Sequence, residues 1–210
     1  MASIEKWVPI LLTVVLCVAL SSATDQQCYN VVTGGYVTAD SSKTCWTGSR
    51  DVAACETVHR PKRGFFLCVN GVNMPQACES KARGGQRVEV GQEEAFKGWV
   101  YKCGISGECS PDPLAWPQCE LEWEMVACAD EHTGQKYEVG GGRWRPADNR
   151  PFFFECLRDA SGRPRKEVAG CISSEQKKWV EIGDSVTEST GTYTCVRQRS
   201  NNAVALIGLG

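Results

Sequence analysis

The chain has 210 residues, with 23 basic and 25 acidic side chains, a formal charge of −2, and 13 cysteines against only two histidines. That balance argues against a dedicated nucleic-acid binder, which carries a strong basic excess. Two histidines without any Cys-x-x-Cys also argue against a zinc framework, and so many cysteines point instead to disulfides in an oxidising compartment.

Residues 1–23 read as a secretory signal. Lys6 supplies the basic start, Val8 to Leu20 the apolar stretch, and Ser21-Ser22-Ala23 the small residues before a cut at Thr24. The apolar run is shorter than the roughly 20 residues of a bilayer span, and no later segment is apolar enough to cross, so no membrane span is predicted after cleavage. Loss of Cys17 leaves an even set: Cys28, Cys45, Cys55, Cys68, Cys78, Cys103, Cys109, Cys119, Cys128, Cys156, Cys171 and Cys195. All twelve are predicted to form structural disulfides, which compensate for units too small to bury a sizeable core. No Asn-x-Ser/Thr sequon is present.

Down the chain, four cysteines are each followed eight to ten residues later by a short strand-like run. After Cys78, Cys128 and Cys171 the runs are Val88-Glu89-Val90-Gly91, Tyr137-Glu138-Val139-Gly140 and Val180-Glu181-Ile182-Gly183. Tyr36-Val37-Thr38-Ala39 after Cys28 is a weaker first copy. Each run leads to an aromatic–x–Cys signature, at Phe66-x-Cys68, Tyr101-x-Cys103, Phe154-x-Cys156 and Tyr193-x-Cys195. Alternate residues of a strand share a face, so the aromatic can cover the disulfide sulfur. The glycine suits a turn that needs positive φ. The first copy carries an insertion with Cys45 and Cys55, and these two are predicted to pair locally, as are Cys109 and Cys119.

The predicted organisation is a cysteine-rich region over 24–119 (copies 28–78 and 78–119), then a second region over 128–197 (copies 128–171 and 171–197), with a tail over 198–210. Between the regions, Glu120-Leu121-Glu122-Trp123-Glu124-Met125 alternates acidic and apolar residues; 120–127 reads as a linker or one more exposed strand. In the third copy, Lys136 to Val139 is a predicted strand, Gly140-Gly141-Gly142 a reversal, Arg143-Trp144-Arg145 the start of a second strand, and Phe152 to Cys156 a third. The fold class is therefore all-β, made of small disulfide-rich repeated units of short antiparallel hairpins.

Cysteine, glycine, strand plus glycine, tryptophan and aromatic–x–Cys in this order resemble the fibronectin type I-like domain of nematode abnormal cell migration protein 18-like proteins. Copy three carries the pattern on Cys128, Gly134, Tyr137, Gly140, Trp144, Phe154, Cys156 and Cys171; copies two and four repeat it on Gly91, Tyr101 and Cys103 and on Gly183, Tyr193 and Cys195. Ordinary fibronectin type I modules have a Cys-x-Cys near their end, whereas Cys156 and Cys171 are far apart, so the usual bridge pattern is not carried over. The resemblance implies a secreted protein of the extracellular matrix or basement membrane, tied to cell migration and to matrix-remodelling proteases, and it implies no enzyme activity.

The residues themselves show no catalytic constellation. His59 in His-Arg-Pro-Lys-Arg and His132 in Asp-Glu-His-Thr-Gly read as loop residues, and neither a Gly-x-Ser-x-Gly nor a His-Glu-x-x-His is present. No catalytic, cofactor-binding or metal-binding residue is assigned. Arg158, Arg163, Arg165 and Lys166, with Arg143, Arg145 and Arg150 nearby in sequence, could dock a sulfated polysaccharide, or could form a solvated loop. The tryptophans at 46, 99, 116, 123, 144 and 179 could be interface residues, or could each cover a disulfide. Taken with what the resemblance implies, the expected function is extracellular matrix binding, with matrix proteins or matrix proteases as partners. The alternative is a cysteine-rich protease inhibitor that offers His59 to Gly64 or Gly162 to Lys166 as a substrate-like loop.

Overall fold

Five cysteines each open a short antiparallel hairpin and face an apolar residue across it: Cys28 opposite Val37, Cys45 opposite Val52, Cys78 opposite Val88, Cys128 opposite Tyr137 and Cys171 opposite Val180. Two residues beyond each cysteine stands a short polar side chain: Asn30, Thr47, Ser80, Asp130 or Ser173. Such side chains bond local backbone and so favour turns over continued strand. Thr47 Oγ1, Ser80 Oγ, Asp130 Oδ1 and Ser173 Oγ accept the N–H three residues ahead, from Arg50 (3.2 Å), Arg83 (2.8 Å), Thr133 (2.9 Å) and Gln176 (3.0 Å). In the first hairpin the Asn30 carbonyl accepts the N–H of Gly34 at 2.9 Å, as Asp130 does from Gly134. Asn30, Ser80, Asp130 and Ser173 make up most of the buried polar side chains among the described residues, so this position is a repeated structural element.

After each hairpin the chain turns and docks on the closing cysteine. The N–H groups of Gly91, Gly140 and Gly183 donate to the carbonyls of Cys103, Cys156 and Cys195 at 2.8, 2.9 and 2.8 Å. These glycines have φ of 90°, 72° and 100°, where a side chain is disfavoured. In the first complete unit the same bond, at 2.8 Å, runs from Cys55 to Cys68, with Cys55 at φ 61°. Cys55 therefore occupies the glycine position. This corrects the sequence alignment: the first complete copy opens at Cys45, not Cys28, and Tyr36–Ala39 belongs to a separate hairpin without a closing strand.

The bridges follow this alignment. Cys45–Cys68, Cys78–Cys103, Cys128–Cys156 and Cys171–Cys195 each join an opening to a closing cysteine, at sequence separations of 23, 25, 28 and 24. The expected local pair Cys45–Cys55 does not form, because Cys68 takes Cys45. Cys55 instead staples the lone hairpin to the first unit through Cys28–Cys55. Cys119 is also disulfide-bonded, while Cys109, its expected partner, lies outside the described residues, as do the predicted signal segment and Trp116.

The computed structural model describes residues 25–31, 34–107, 119–199 and 203–208. These hold strands and no helix. The two small hairpins are β1 (Gln26–Asn30) with β2 (Gly35–Ala39), and β3 (Cys45–Trp46) with β4 (Asp51–Val52). A four-stranded sheet follows from β5 (Thr57–Arg60), β6 (Gly64–Val69), β7 (Val72–Glu79) and β8 (Arg87–Glu89). A second contains β9 (Glu93–Phe96), β10 (Trp99–Ser106), β11 (Glu120–Ala129) and β12 (Lys136–Tyr137). The third contains β13 (Arg143–Trp144), β14 (Phe152–Arg158), β15 (Pro164–Ile172) and β16 (Trp179–Glu181). The last, with three strands, contains β17 (Ser185–Glu188), β18 (Gly191–Arg197) and β19 (Val204–Gly208).

Strands β7, β11 and β15 belong to two units at once. Their first parts pair with the closing strands β6, β10 and β14, and their ends carry Cys78, Cys128 and Cys171 into the next hairpin. Successive units are thus joined by continuous strands rather than by linkers. The linker expected over 120–127 is strand β11: its Glu120, Glu122 and Glu124 are exposed, while Leu121, Trp123 and Met125 are half-buried, as a period of two requires. The tail expected after 197 contributes β19, which pairs along β18. The register shifts at equivalent places, between Phe65 and Phe66, Val100 and Tyr101, and Phe153 and Phe154, a bulge just before the aromatic–x–Cys of the first three units.

Apolar packing is divided into small clusters around the bridges. In the third unit Trp144, 3% exposed, packs with Cys128, Cys156, Trp99, Tyr137 and Phe154. Its ring stacks on Tyr137 at 4.2 Å and 9°, and lies 5.5 Å from Phe154. In the fourth unit Tyr193 packs beside Cys171 and Cys195. The aromatic cover over sulfur that the sequence implies is present in both.

Candidate functional site

The structure separates the basic side chains that sequence groups together. Arg158, Arg163, Arg165 and Lys166 do lie on one hairpin, β14–β15, but strand alternation and local pairing divide them. Lys166 reaches Glu131 at 2.8 Å and lies over the Phe154 ring at 5.2 Å, its side chain only 15% exposed. This contact holds Glu131 below the usual carboxylate range. Arg165 is ion-paired to Glu167, and Arg158 donates from Nη1 to the carbonyl of Gly162 at 2.7 Å. Arg143 pairs with Glu181 at 2.6 Å, and Arg150 pairs with Asp148. Arg158 and Arg163 line a groove of about 590 Å³ that also contains Glu122 and Glu124, so its charge is mixed.

A more uniform surface lies in the first unit, at the β5–β6 hairpin. Arg63 N–H closes the tip onto the Arg60 carbonyl at 2.9 Å, with Lys62 at φ 67°. Pro61, Lys62 and Arg63 are exposed. His59 stacks on Phe65 at 4.5 Å and lies 3.3 Å from Glu79. The Glu79 carboxyl accepts the N–H groups of Lys62 and Gly85, and these donors with His59 hold it below its usual range. Beside the tip, the turn from Thr47 to Arg50 and the strand from Thr57 to Arg60 bound a groove of about 650 Å³, lined by Trp46, Arg50, His59, Arg60 and Arg63 among others. Among the described residues no aspartate or glutamate lines it.

Both candidate inhibitory loops are closed. Residues 59–64 form the hairpin tip just described. In 162–166, Gly162 and Arg163 donate to Asp159, and Pro164 onward is already paired in β15. His132 lies 3.3 Å from Asp148 at the surface. Among the described residues no group of three or more His, Cys, Asp or Glu side chains is placed to hold a metal ion, and no helix is long and apolar enough to cross a membrane.

The tryptophans divide into two kinds. Trp144 is core, and Trp123 is tied by its indole N–H to the Glu79 carbonyl at 3.2 Å. Trp46 and Trp179 are 59% and 46% exposed, and Trp179 stacks on the buried Phe153 at 5.0 Å. Sequence reasoning did not single out the groove beside Trp46. The available signal was the run of Arg60, Lys62 and Arg63 around Pro61, which it treated as an inhibitory loop instead.

With this geometry in place, family comparison is informative. A family model described as a fibronectin type I domain matches residues 126–203. The match begins in β11 and covers the third and fourth units, where the sequence pattern is clearest. No curated protein and no solved structure matches the chain. The resemblance drawn from sequence therefore holds at the level of fibronectin type I-like domains: an all-β, disulfide-framed architecture that fits an extracellular modular protein.

Proposed function

We propose that the protein is secreted and acts by binding within the extracellular matrix or basement membrane, without catalysis of its own. The observation that carries this reading is the joining of bridge-framed units through shared strands β7, β11 and β15. Binding surfaces on successive units are thereby held at fixed spacing, which limits the ordering cost of engaging an extended partner. The fibronectin type I domain match and the bridges support an extracellular setting. The resemblance in sequence to nematode abnormal cell migration protein 18-like proteins, taken as a guide, makes matrix proteins or matrix proteases the favoured partners, with support of cell migration as the outcome.

The test is retention of the purified, fully oxidised protein on cell-derived basement membrane at physiological salt. Saturable retention that disappears on reduction of the bridges supports the reading. Passage without retention overturns it.

A further inference from the structure

The groove beside Trp46 has two properties that favour an anionic ligand. Among the described residues its lining carries arginines and a histidine but no carboxylate. Arg50 is matched by Glu56 at 2.7 Å, whereas Arg60 and Arg63 have no ion-pair partner among the described residues. Their charge is available to a ligand.

Arg60 is also fixed in advance. Its Nη2 donates to the Trp46 carbonyl at 3.1 Å, linking the two hairpins that form the groove walls. Its guanidinium lies 5.4 Å from the centre of the Phe66 ring, and its Nε is buried without a hydrogen-bond partner. A cation held this way loses little side-chain freedom when it binds. Arg63 stands at the exposed tip of the same hairpin. Trp46, the most exposed tryptophan of the described residues, also lines the groove.

We propose that this groove binds a sulfated saccharide of the matrix. Arg60 and Arg63 receive its sulfate groups through charge-assisted hydrogen bonds, and the Trp46 indole covers one face of a sugar ring, as an exposed amphipathic aromatic does. The proposal rests on the matrix-binding reading above and gives it a ligand class and an address. It places the saccharide on the first unit, away from the β14–β15 hairpin, where ion pairs consume much of the basic charge.

The test is calorimetric titration of the whole oxidised protein with a heparin-derived octasaccharide at physiological salt. Arg63→Gln and Trp46→Ala, which alter exposed side chains, should each weaken binding about tenfold, the loss of one charge-assisted or stacking contact. Arg163→Gln should remain within about twofold of the unaltered protein, the ordinary spread of a remote surface change. Binding should weaken as salt rises.

The site is overturned if Arg163→Gln weakens binding while Arg63→Gln and Trp46→Ala do not. Equal binding of a desulfated octasaccharide also overturns it, as does equal binding of poly-glutamate, which would make an acidic peptide the ligand. Retention on basement membrane is measured in parallel. Retention without octasaccharide binding defeats this site and leaves the broader reading standing, whereas loss of both defeats the broader reading.

Discussion

Gly170 in the third sheet has no room for a side chain, and Gly170→Ala is a severe test of the packing there. A Cβ at this position would lie 2.3 Å from the Val180 carbonyl oxygen and 2.5 Å from Cζ of Phe153. Neither neighbour can yield easily. Val180 is backbone-paired to Cys171 across β15 and β16, and the Phe153 ring is fully buried under Trp179. Restoring ordinary contact requires a retreat of about 1 Å, in a core that responds to changes of one methylene. Overpacking typically costs about 1–3 kcal/mol, and two rigid neighbours place this case at the upper end. For a chain of this size that corresponds to a fall in Tm on the order of 10 °C. The measurement is thermal unfolding of the oxidised protein, followed by tryptophan fluorescence, with Gly84→Ala as control. A Cβ at Gly84 meets only the Glu79 side chain, at 3.6 Å. If Gly170→Ala is as stable as Gly84→Ala, the β15–β16 packing is not as described.

Two further substitutions probe the unit itself. Trp144→Ala removes the ring between Tyr137 and Phe154 and should cost about 3–5 kcal/mol in denaturant unfolding; a loss below about 1 kcal/mol would show that the ring is not core. Asp130 is buried, which raises its pKa, but the N–H groups of Thr133, Ala147 and His132 outweigh this and hold the carboxyl below its ordinary value. Because the folded pKa is depressed, the ionised form stabilises the fold above the unfolded pKa of about 3.9. That contribution is lost as pH falls below this value. Asp130→Asn should therefore lower stability at neutral pH and flatten the decline in unfolding free energy below about pH 4. An unchanged acid profile would contradict the role assigned to Asp130.

Much of the repeat is legible in sequence because the same physics leaves the same residues in each copy. Val-Glu-Val-Gly and its variants mark the outer strand and the positive-φ turn, and aromatic–x–Cys marks one face of the closing strand. The alternation from Glu120 to Met125 marks β11, but a strand shared by two units resembles a linker when units are assumed to be separate. The first unit was obscured by Cys55, which takes a backbone conformation that glycine takes elsewhere and so hides the homologous turn inside an apparent insertion. The polar residue two positions after each opening cysteine was visible throughout, as Asn30, Thr47, Ser80, Asp130 and Ser173. Its role emerges only once the side chains of Thr47, Ser80, Asp130 and Ser173 are seen closing turns. The groove beside Trp46 depends on Arg60 bonding a carbonyl in another hairpin, and no local pattern encodes that contact.

The bridge pattern underlies both the unit boundaries and the position of the groove, and proteolytic mapping of the native, unreduced protein by mass spectrometry tests it directly. The account predicts linked peptides containing Cys45 with Cys68 and Cys28 with Cys55, alongside Cys78 with Cys103, Cys128 with Cys156 and Cys171 with Cys195. A peptide joining Cys45 to Cys55, or Cys28 to Cys68, would contradict it.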